Sequence, residues 1–255
     1  MLRYILLGLV QALTEFLPVS SSGHLIIAQR LLGMSGQELA LSVILHLGTT
    51  AALIIFFSKD ILRIFMLRDK KLLFLIVIVT VITGAIGVAG KEFFEGLFSS
   101  VKLVAVALIL TGIILILTRR FMEYKREALG IKDALVLGFA QAIAIIPGIS
   151  RSGITISTLL FRRVDKEASF KFSFLAAIPS ILGAVLLEAK KINFALGLQP
   201  ANFTAAFISS FLAGFFSLWI LKTVLRHAKL HFFGYYCILA AIFTLLYPAA
   251  IKPYH

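Results

Sequence analysis

The sequence contains one cysteine, Cys237, and only 12 acidic residues among 255 positions. A single cysteine cannot form an internal disulfide, so a disulfide-stabilised secreted domain is excluded. Charged residues make up 15% of the chain, against about 25% in soluble domains, and hydrophobic residues make up 60%. This composition also excludes a disordered chain. Because the mean hydropathy is +1.01, the apolar surface needs lipid to cover it, and we predict a polytopic membrane protein.

Six runs are long and apolar enough to cross a bilayer as helices. They cover residues 39–58, 72–90, 101–118, 168–189, 203–222 and 233–251. Two further apolar stretches, 2–17 and 131–147, are shorter, and a Gly/Ser turn follows each. We interpret both as re-entrant hairpins, because irregular backbone at membrane depth must be buried in protein or line a wet cavity. Taken alone, the first stretch is also compatible with a signal peptide.

The two short stretches are copies of one another. A shift of 130 residues aligns Leu7 with Leu137, Gly8 with Gly138, Gln11 with Gln141, Ala12 with Ala142, Ser20 with Ser150, Ser22 with Ser152 and Gly23 with Gly153. Three spans separate the copies, so the second half must enter the membrane from the opposite side. We therefore expect an all-α fold of six transmembrane helices and two re-entrant hairpins. It forms one integral membrane domain, 1–255, built as an inverted-topology repeat of residues 1–127 and 128–255.

Lysine and arginine give the chain a net charge of +13, and most of them lie in short loops between apolar runs. This placement is typical of the positive-inside rule and argues against nucleic acid as a partner. The loops 59–71, 119–132, 162–171 and 222–229 carry 17 of the 25 basic residues, and the other side receives seven. We expect these four loops to face the cytoplasm and both termini to lie outside. The first hairpin would then open outward and the second towards the cytoplasm.

Polar residues at membrane depth are costly and are therefore functional candidates. The first polar cluster reads QALTEFLPVSSSGHL over residues 11–25. Gln11 and Glu15 are four positions apart, so they share one helix face, and the helix is expected to end at Pro18. The turn that follows is rich in hydroxyls and backbone N–H groups and consists of Ser20, Ser21, Ser22 and Gly23. His24 then offers an imidazole that can carry a proton near neutral pH.

The second polar cluster reads PGISRSGIT over residues 147–155. It places Arg151 between Ser150 and Ser152, ahead of a helix that begins near Gly153. A guanidinium, hydroxyls and a helix N-terminus together form an anion site, and phosphate is the commonest such anion. The two clusters jointly supply a carboxylate, an imidazole, serine hydroxyls and an arginine, which suit phosphoryl transfer.

Each of these groups also has a structural interpretation. Arg151 is alternatively an ion-pair partner of Glu15, and serine turns commonly cap helices. His46 lies in the middle of a predicted span, and we interpret it as a packing residue. The inverted repeat is itself typical of secondary transporters, so a flippase for a phospholipid carrier is the alternative to an enzyme. A flippase needs anion binding but no nucleophile or proton shuttle, so Ser21 and His24 would be dispensable in it.

In their order and spacing, the two motifs resemble those of the bacitracin-resistance family of undecaprenyl-diphosphate phosphatases. The resemblance covers essentially the whole chain. It implies a cell-membrane enzyme that hydrolyses the terminal phosphate of a polyprenyl diphosphate, recycles the lipid carrier of cell-wall synthesis and confers bacitracin resistance. It also implies a divalent metal, Mg²⁺ or Ca²⁺, and an active site that faces away from the cytoplasm. The oligomeric state stays open, with a homodimer as one option.

The resemblance carries over residue by residue. The family's acidic motif falls on Gln11 and Glu15, which are the candidate metal ligands. Many members have glutamate at the first of these positions, so the neutral Gln11 is a departure. Mg²⁺ needs few protein ligands, so Glu15 and the phosphate oxygens of the substrate would still hold it.

The expected roles follow from the same motifs. Ser21 is the candidate nucleophile, Glu15 or His24 is the base, and Arg151 holds the phosphates. The alternative to a phosphoserine intermediate is direct attack by a water that Glu15 activates. The expected substrate-binding residues are Gln11, Ser20, Ser22, Gly23, Gly148, Ser150, Ser152, Gly153 and Thr155.

Overall fold

The computed structural model describes residues 1–34, 38–97, 100–121, 126–191 and 199–246. Within these ranges the protein is helical, apart from turns and one isolated backbone pairing between Arg126 and Val164. The α-helices are α1 (Leu2–Phe16), α2 (Ser21–Leu31), α3 (Glu38–Phe56), α4 (Ser58–Phe65), α5 (Lys70–Ala89), α6 (Lys91–Leu97), α7 (Val101–Leu117), α8 (Ile131–Ile143), α9 (Arg151–Phe161), α10 (Lys166–Ala189), α11 (Pro200–Arg226) and α12 (His231–Leu246). A short 3₁₀ turn, Thr118–Phe121, follows α7.

Five segments of the described residues are long and apolar enough to cross a membrane. They are Leu39–Phe56, Lys70–Ala89, Lys102–Phe121, Lys166–Ala189 and Pro200–Arg226. These segments confirm five of the six predicted spans. The sixth coincides with α12, an apolar helix described for 16 residues. The last five residues of that prediction, 247–251, lie outside the described residues. The protein is therefore an all-α polytopic membrane protein.

Both predicted hairpins are present as pairs of short helices. In the first, α1 ends at Phe16, and Leu17 adopts an extended backbone with φ −67° and ψ 143°. That conformation is expected of a residue before proline. In the second hairpin, α8 and α9 are joined through Gly148, which has a φ of 95°. A Cβ added to Gly148 would lie 2.5 Å from the carbonyl oxygen of Val104, so both backbone and space require glycine here.

The helices pack in pairs that follow the sequence repeat. The shift of 130 residues relates α1 to α8 and α5 to α11, and correspondingly α1 packs on α11 while α8 packs on α5. The related helices α7 and α12 pack on each other and cross at Gly112 and Gly234. A Cβ on either glycine would lie within 2.7 Å of the other's carbonyl oxygen, so the small residues permit close approach. The packing supports the repeat, and its division between residues 127 and 128 stays a prediction.

Ion pairs connect the basic loops to one another. Lys171 Nζ lies 2.5 Å from Asp60 Oδ1, which joins the first and third of these loops. Arg226 Nη2 lies 2.5 Å from Glu167 Oε1, which joins the third and fourth. Loops that exchange ion pairs must lie on the same face of the protein.

Asp133, at the beginning of α8, connects the remaining loop. Its buried carboxylate accepts hydrogen bonds from Arg126 at 2.6 and 2.7 Å and from Arg162 Nε at 2.5 Å. Burial opposes its ionisation, but hydrogen bonds from Arg126, Arg162 and the Gly130 N–H lower the pKa of Asp133 to about 2. All four basic loops therefore share one face, as the charge count predicts.

Candidate active site

The tips of the two hairpins meet. Arg151, the first residue of α9, donates a hydrogen bond through Nη2 to Glu15 Oε1 near the end of α1. Nearby, a Cβ added to Gly153 would lie 3.2 Å from the Cβ of Pro18. Cys237 Sγ of α12 lies 3.4 Å from the Pro18 carbonyl oxygen, so α12 also packs against the first hairpin here. Two polar clusters that are 130 residues apart in sequence thus form one site.

Glu15 is the centre of this site, and its side chain is buried. Its Oε1 pairs with Arg151, and its Oε2 accepts a hydrogen bond from Ser21 Oγ at 2.6 Å. The same Oε2 lies 4.0 Å from His46 Nε2. A hydroxyl hydrogen-bonded to a carboxylate has the geometry that an activated nucleophile requires. Of the two bases that the sequence left open, Glu15 is the one that contacts Ser21.

His46 is a site residue that the sequence analysis missed. His46 Nε2 lies 4.0 Å from Glu15 Oε2, so this residue borders the site, and its interpretation as a packing residue alone stays a prediction. Its Nδ1 lies 2.8 Å from the Ser42 carbonyl oxygen, which fixes the ring. Thr49 and Thr50, three and four positions later, hydrogen-bond to the His46 carbonyl oxygen. Such a polar set at helical spacing within an apolar span marks one helix face and is the signal that identifies His46.

Both ring nitrogens of His24 contact groups other than the Ser21 hydroxyl. Its Nδ1 lies 2.8 Å from the Ser20 carbonyl oxygen, and its Nε2 lies 2.6 Å from the hydroxyl of Tyr236 on α12. The two rings are stacked with their centroids 5.6 Å apart. His24 therefore belongs to the side of the site that α12 covers, and Tyr236 is a second contact that the motifs did not indicate.

The serines that the repeat preserves keep equivalent positions in the two halves. Ser20 Oγ lies 3.3 Å from Ser22 Oγ, and Ser150 Oγ lies 3.3 Å from Ser152 Oγ. Ser150 Oγ also accepts a hydrogen bond from the Gly153 N–H at 3.2 Å and so caps α9. For Ser150 the structural interpretation of the serine turn is confirmed.

Two further candidates have their polar groups engaged by protein. The Thr155 hydroxyl donates to the Arg151 carbonyl oxygen at 2.7 Å, within α9. The Gly148 carbonyl oxygen accepts from the Thr111 hydroxyl at 3.1 Å, and the same hydroxyl accepts from the Ser150 N–H at 3.2 Å. In the structure these groups brace the loop that carries Arg151. Gly23 lies behind the site, where a Cβ would be 3.8 Å from Val104.

Three buried polar atoms at the site lack a hydrogen-bond partner among the described residues. They are Nε2 and Oε1 of Gln11 and Nη1 of Arg151. An unpaired buried polar group costs about 1–3 kcal/mol, so these atoms are available to a bound ligand or water. Arg151 can therefore pair with Glu15 through one amino group and bind an anion through the other. The ion-pair interpretation of Arg151 is confirmed and leaves the phosphate-binding role possible.

The donor set also fits a divalent cation that shares its ligands with a substrate. Glu15 and Gln11 Oε1 are oxygen donors on one face of α1, and oxygen is the ligand that Mg²⁺ and Ca²⁺ prefer. The described residues contain no cluster of three or more His, Cys, Asp or Glu side chains suited to a metal. Phosphate oxygens would therefore have to complete the coordination.

The fold and the site together define an integral membrane protein with a buried polar centre where two helical hairpins meet. The family model described as Bacitracin resistance protein BacA matches residues 4–243, and the chain belongs to this family. It is 40% identical to a protein of Halothermothrix orenii over 96% of both chains. It is 41% identical to one of Carboxydothermus hydrogenoformans over 97% of both, and 39% identical to one of Thermotoga petrophila over 95% of this chain and 98% of the relative. All three relatives are named undecaprenyl-diphosphatase.

Proposed function

We propose that this protein is an undecaprenyl-diphosphatase, which removes the terminal phosphate of undecaprenyl diphosphate. The product, undecaprenyl phosphate, is the lipid carrier reused in cell-wall synthesis, and its regeneration confers bacitracin resistance. The observation that carries the proposal is the partly buried Ser21–Glu15–Arg151 arrangement, with Arg151 Nη1 left for a phosphate oxygen. The names of the relatives support the same reaction. A flippase would need no hydroxyl poised against a carboxylate, so the site favours the enzyme.

In the proposed reaction, Ser21 attacks the terminal phosphorus and its proton passes to Glu15. The new bond joins Ser21 Oγ to phosphorus, while the bond from phosphorus to the bridging oxygen breaks, and undecaprenyl phosphate leaves with the proton that Glu15 took up. Water then attacks the phosphoserine, and its proton passes through Glu15 to Ser21 Oγ as the bond from Oγ to phosphorus breaks and inorganic phosphate is released. Arg151 stabilises the charge that develops on the phosphate oxygens.

The other polar residues support these steps. His46 lies beside Glu15 and holds the carboxylate towards Ser21. His24, whose Nε2 is directed to the α12 side, would help the lipid phosphate to leave. The serine pairs Ser20–Ser22 and Ser150–Ser152 keep the two turns in register, and their hydroxyls and the neighbouring N–H groups bind phosphate oxygens.

The proposal includes a divalent cation, Mg²⁺ or Ca²⁺. When bound, it would neutralise part of the charge of the diphosphate. Glu15 and Gln11 Oε1 would hold it together with phosphate oxygens. Gln11→Glu adds a second carboxylate, so it should tighten Mg²⁺ binding measured by calorimetry without any turnover. Unchanged affinity would contradict the role of Gln11 as a metal ligand.

We also propose the orientation of the protein in the cell membrane. The four basic loops share one face, and the positive-inside rule assigns this face to the cytoplasm. Both termini would then lie outside, and the first hairpin with Ser21 would open to the outside. This orientation suits a substrate whose diphosphate is on the outer side of the membrane.

The test is phosphate release from C55 polyprenyl diphosphate by the purified protein in detergent, with and without a chelator. We expect release that stops with the chelator and resumes with added Mg²⁺ or Ca²⁺. Glu15→Gln should be inactive, whereas Ser22→Ala, which removes a neighbouring neutral hydroxyl, should lose roughly tenfold or less. If the wild-type protein releases no phosphate, the proposed function is wrong.

A further inference from the structure

An apolar groove of about 330 Å³ lies between α2, α7 and α12, next to Gly23 and His24. Its walls are formed mainly by Ile27, Val104, Leu108, Leu239, Ala240 and Phe243. Leu239 is 65% exposed, so the groove opens towards the lipid-facing surface of the protein. We call this space the α12 groove.

The α12 groove borders the segment that follows Ser21. Gly23 and His24, which follow Ser21 by two and three residues, form one end of its lining, and Tyr236 is beside them. A substrate with its terminal phosphate at Ser21 must place its hydrocarbon close to this segment. The groove is the apolar space that the same residues border.

Tyr236 contacts both the α12 groove and His24. Its ring lines the groove, and its hydroxyl lies 2.6 Å from His24 Nε2. The Ser20 carbonyl oxygen can only accept a hydrogen bond, so in the neutral imidazole Nδ1 carries the proton. Nε2 is then an acceptor, and the Tyr236 hydroxyl donates to it. The Ser20 carbonyl oxygen therefore fixes the tautomer of His24, and the Tyr236 hydroxyl holds the direction of its ring.

We propose that the α12 groove holds the isoprenyl segment next to the diphosphate, and that Tyr236 is a positioning residue for His24 at its inner end. This inference rests on the proposed function. Ligand pockets usually measure about 300–1,000 Å³, so the groove has room for a short apolar segment. The rest of a C55 chain would leave past Leu239 and continue in the bilayer. Apolar walls and a polar end suit the junction between a hydrocarbon and its phosphate.

The hydroxyl and the groove can be tested separately. Tyr236→Phe keeps the ring and removes the hydrogen bond, so kcat should fall roughly three- to tenfold with KM nearly unchanged. Tyr235→Phe, at the adjacent position on α12, is the matched control and should match the wild type. Equal kinetics for Tyr236→Phe and the wild type would overturn the positioning role.

Leu239→Trp obstructs the mouth of the groove at an exposed position, so the protein should still fold. It should raise KM for C55 and C15 isoprenyl diphosphates by roughly tenfold with kcat unchanged, because it displaces buried methylene groups of the tail. Leu246→Trp, also exposed on α12 but not part of the groove lining, should not change KM. Unchanged KM in Leu239→Trp, with phosphate still released, would mean that the groove holds a bilayer lipid.

A direct readout uses a C15 isoprenyl diphosphate with a photoreactive group on its second unit. After illumination, the crosslinked residues should lie on α2, α7 or α12, and Leu239→Trp should reduce their yield. Crosslinks confined to α3 or α10 would overturn the assignment. Failure of the wild type to hydrolyse either diphosphate would instead refute the proposed function, so the two outcomes can be told apart.

Discussion

Replacing Ser21 by alanine gives the sharpest test of the chemistry at this site. The substitution removes the hydroxyl that donates to Glu15 Oε2 at 2.6 Å and leaves the carboxylate, Arg151 and His46 in place. If the hydroxyl only hydrogen-bonds to a charged group, its loss costs about 1.5–3 kcal/mol, which corresponds to roughly 10- to 160-fold in rate. If Ser21 is the nucleophile, the covalent route disappears and kcat should fall by more than about a thousandfold.

The alanine variants of the neighbouring serines show how large a rate loss one lost neutral hydrogen bond causes. Ser20 and Ser22 hydrogen-bond to each other at 3.3 Å, so removing either hydroxyl breaks one neutral interaction. That loss is worth about 0.5–1.5 kcal/mol, or roughly tenfold or less in rate. All three alanine variants should be assayed for phosphate release at saturating substrate, so that differences in binding do not enter. We expect Ser21→Ala to fall far below the other two.

The intermediate itself can be trapped. Rapid acid quenching of a turning-over sample should preserve a phosphate on Ser21, and mass spectrometry should find the added mass on the peptide that contains it. A loss of activity in Ser21→Ala of less than about a hundredfold is within the range of a hydrogen bond. Together with the absence of phosphopeptide, it would refute Ser21 as nucleophile and leave direct attack by a water that Glu15 activates.

Three further predictions follow from the ion pairs and the loops. Arg151→Lys should lose most activity, about 10- to 100-fold or more, because the compact ammonium cannot reproduce the planar guanidinium that reaches Glu15 through one amino group and a phosphate oxygen through the other. Recovery of turnover in Arg151→Ala combined with Glu15→Gln would contradict the phosphate role. A cysteine at Arg3 should react with an impermeant maleimide from outside intact cells, and one at Lys70 only after permeabilisation. The native Cys237 is buried, so it should contribute little labelling. The opposite pattern would reverse the proposed orientation. Asp133→Asn should lower the free energy of unfolding by about 3 kcal/mol, because two arginines lose their buried partner. Since the pKa of Asp133 is lowered from 3.8 to about 2, its contribution to stability is full above pH 4 and disappears as the pH falls towards 2. Thermal unfolding across this pH range should show that loss in the wild type but not in Asp133→Asn.

The two hairpins could be predicted because local signals specify them. Pro18 must end α1, Gly148 must turn the second hairpin, and the repeated serines place the two turns in equivalent positions. His46 and Tyr236 could not be found in this way. Each reaches the site from a different helix, α3 or α12, and their approach depends on how those helices pack rather than on neighbouring residues.

One connecting loop also differs from the prediction. The charged break at 59–71 contains α4, an eight-residue helix. Its charged side includes Asp60, which pairs with Lys171, whereas Leu62 and Phe65 are 54% and 80% exposed. Exposed apolar residues beside charges suit a helix that lies at the membrane interface. The density of charge predicts a loop, whereas the amphipathic spacing of the same residues is the signal for a helix.

Comparing the two copies of the repeat explains why one chain has one site. The second hairpin keeps the serine pair, but the position that corresponds to Glu15 is Ile145, which cannot accept a proton. Gln141, the counterpart of Gln11, is used by the fold, since its Nε2 hydrogen-bonds to Ser180 at 2.8 Å and to a threonine of α5. The Gln11 amide, in contrast, has no hydrogen-bond partner among the described residues. The second hairpin therefore lacks the carboxylate that the first one supplies, and it contributes Arg151 to the shared site.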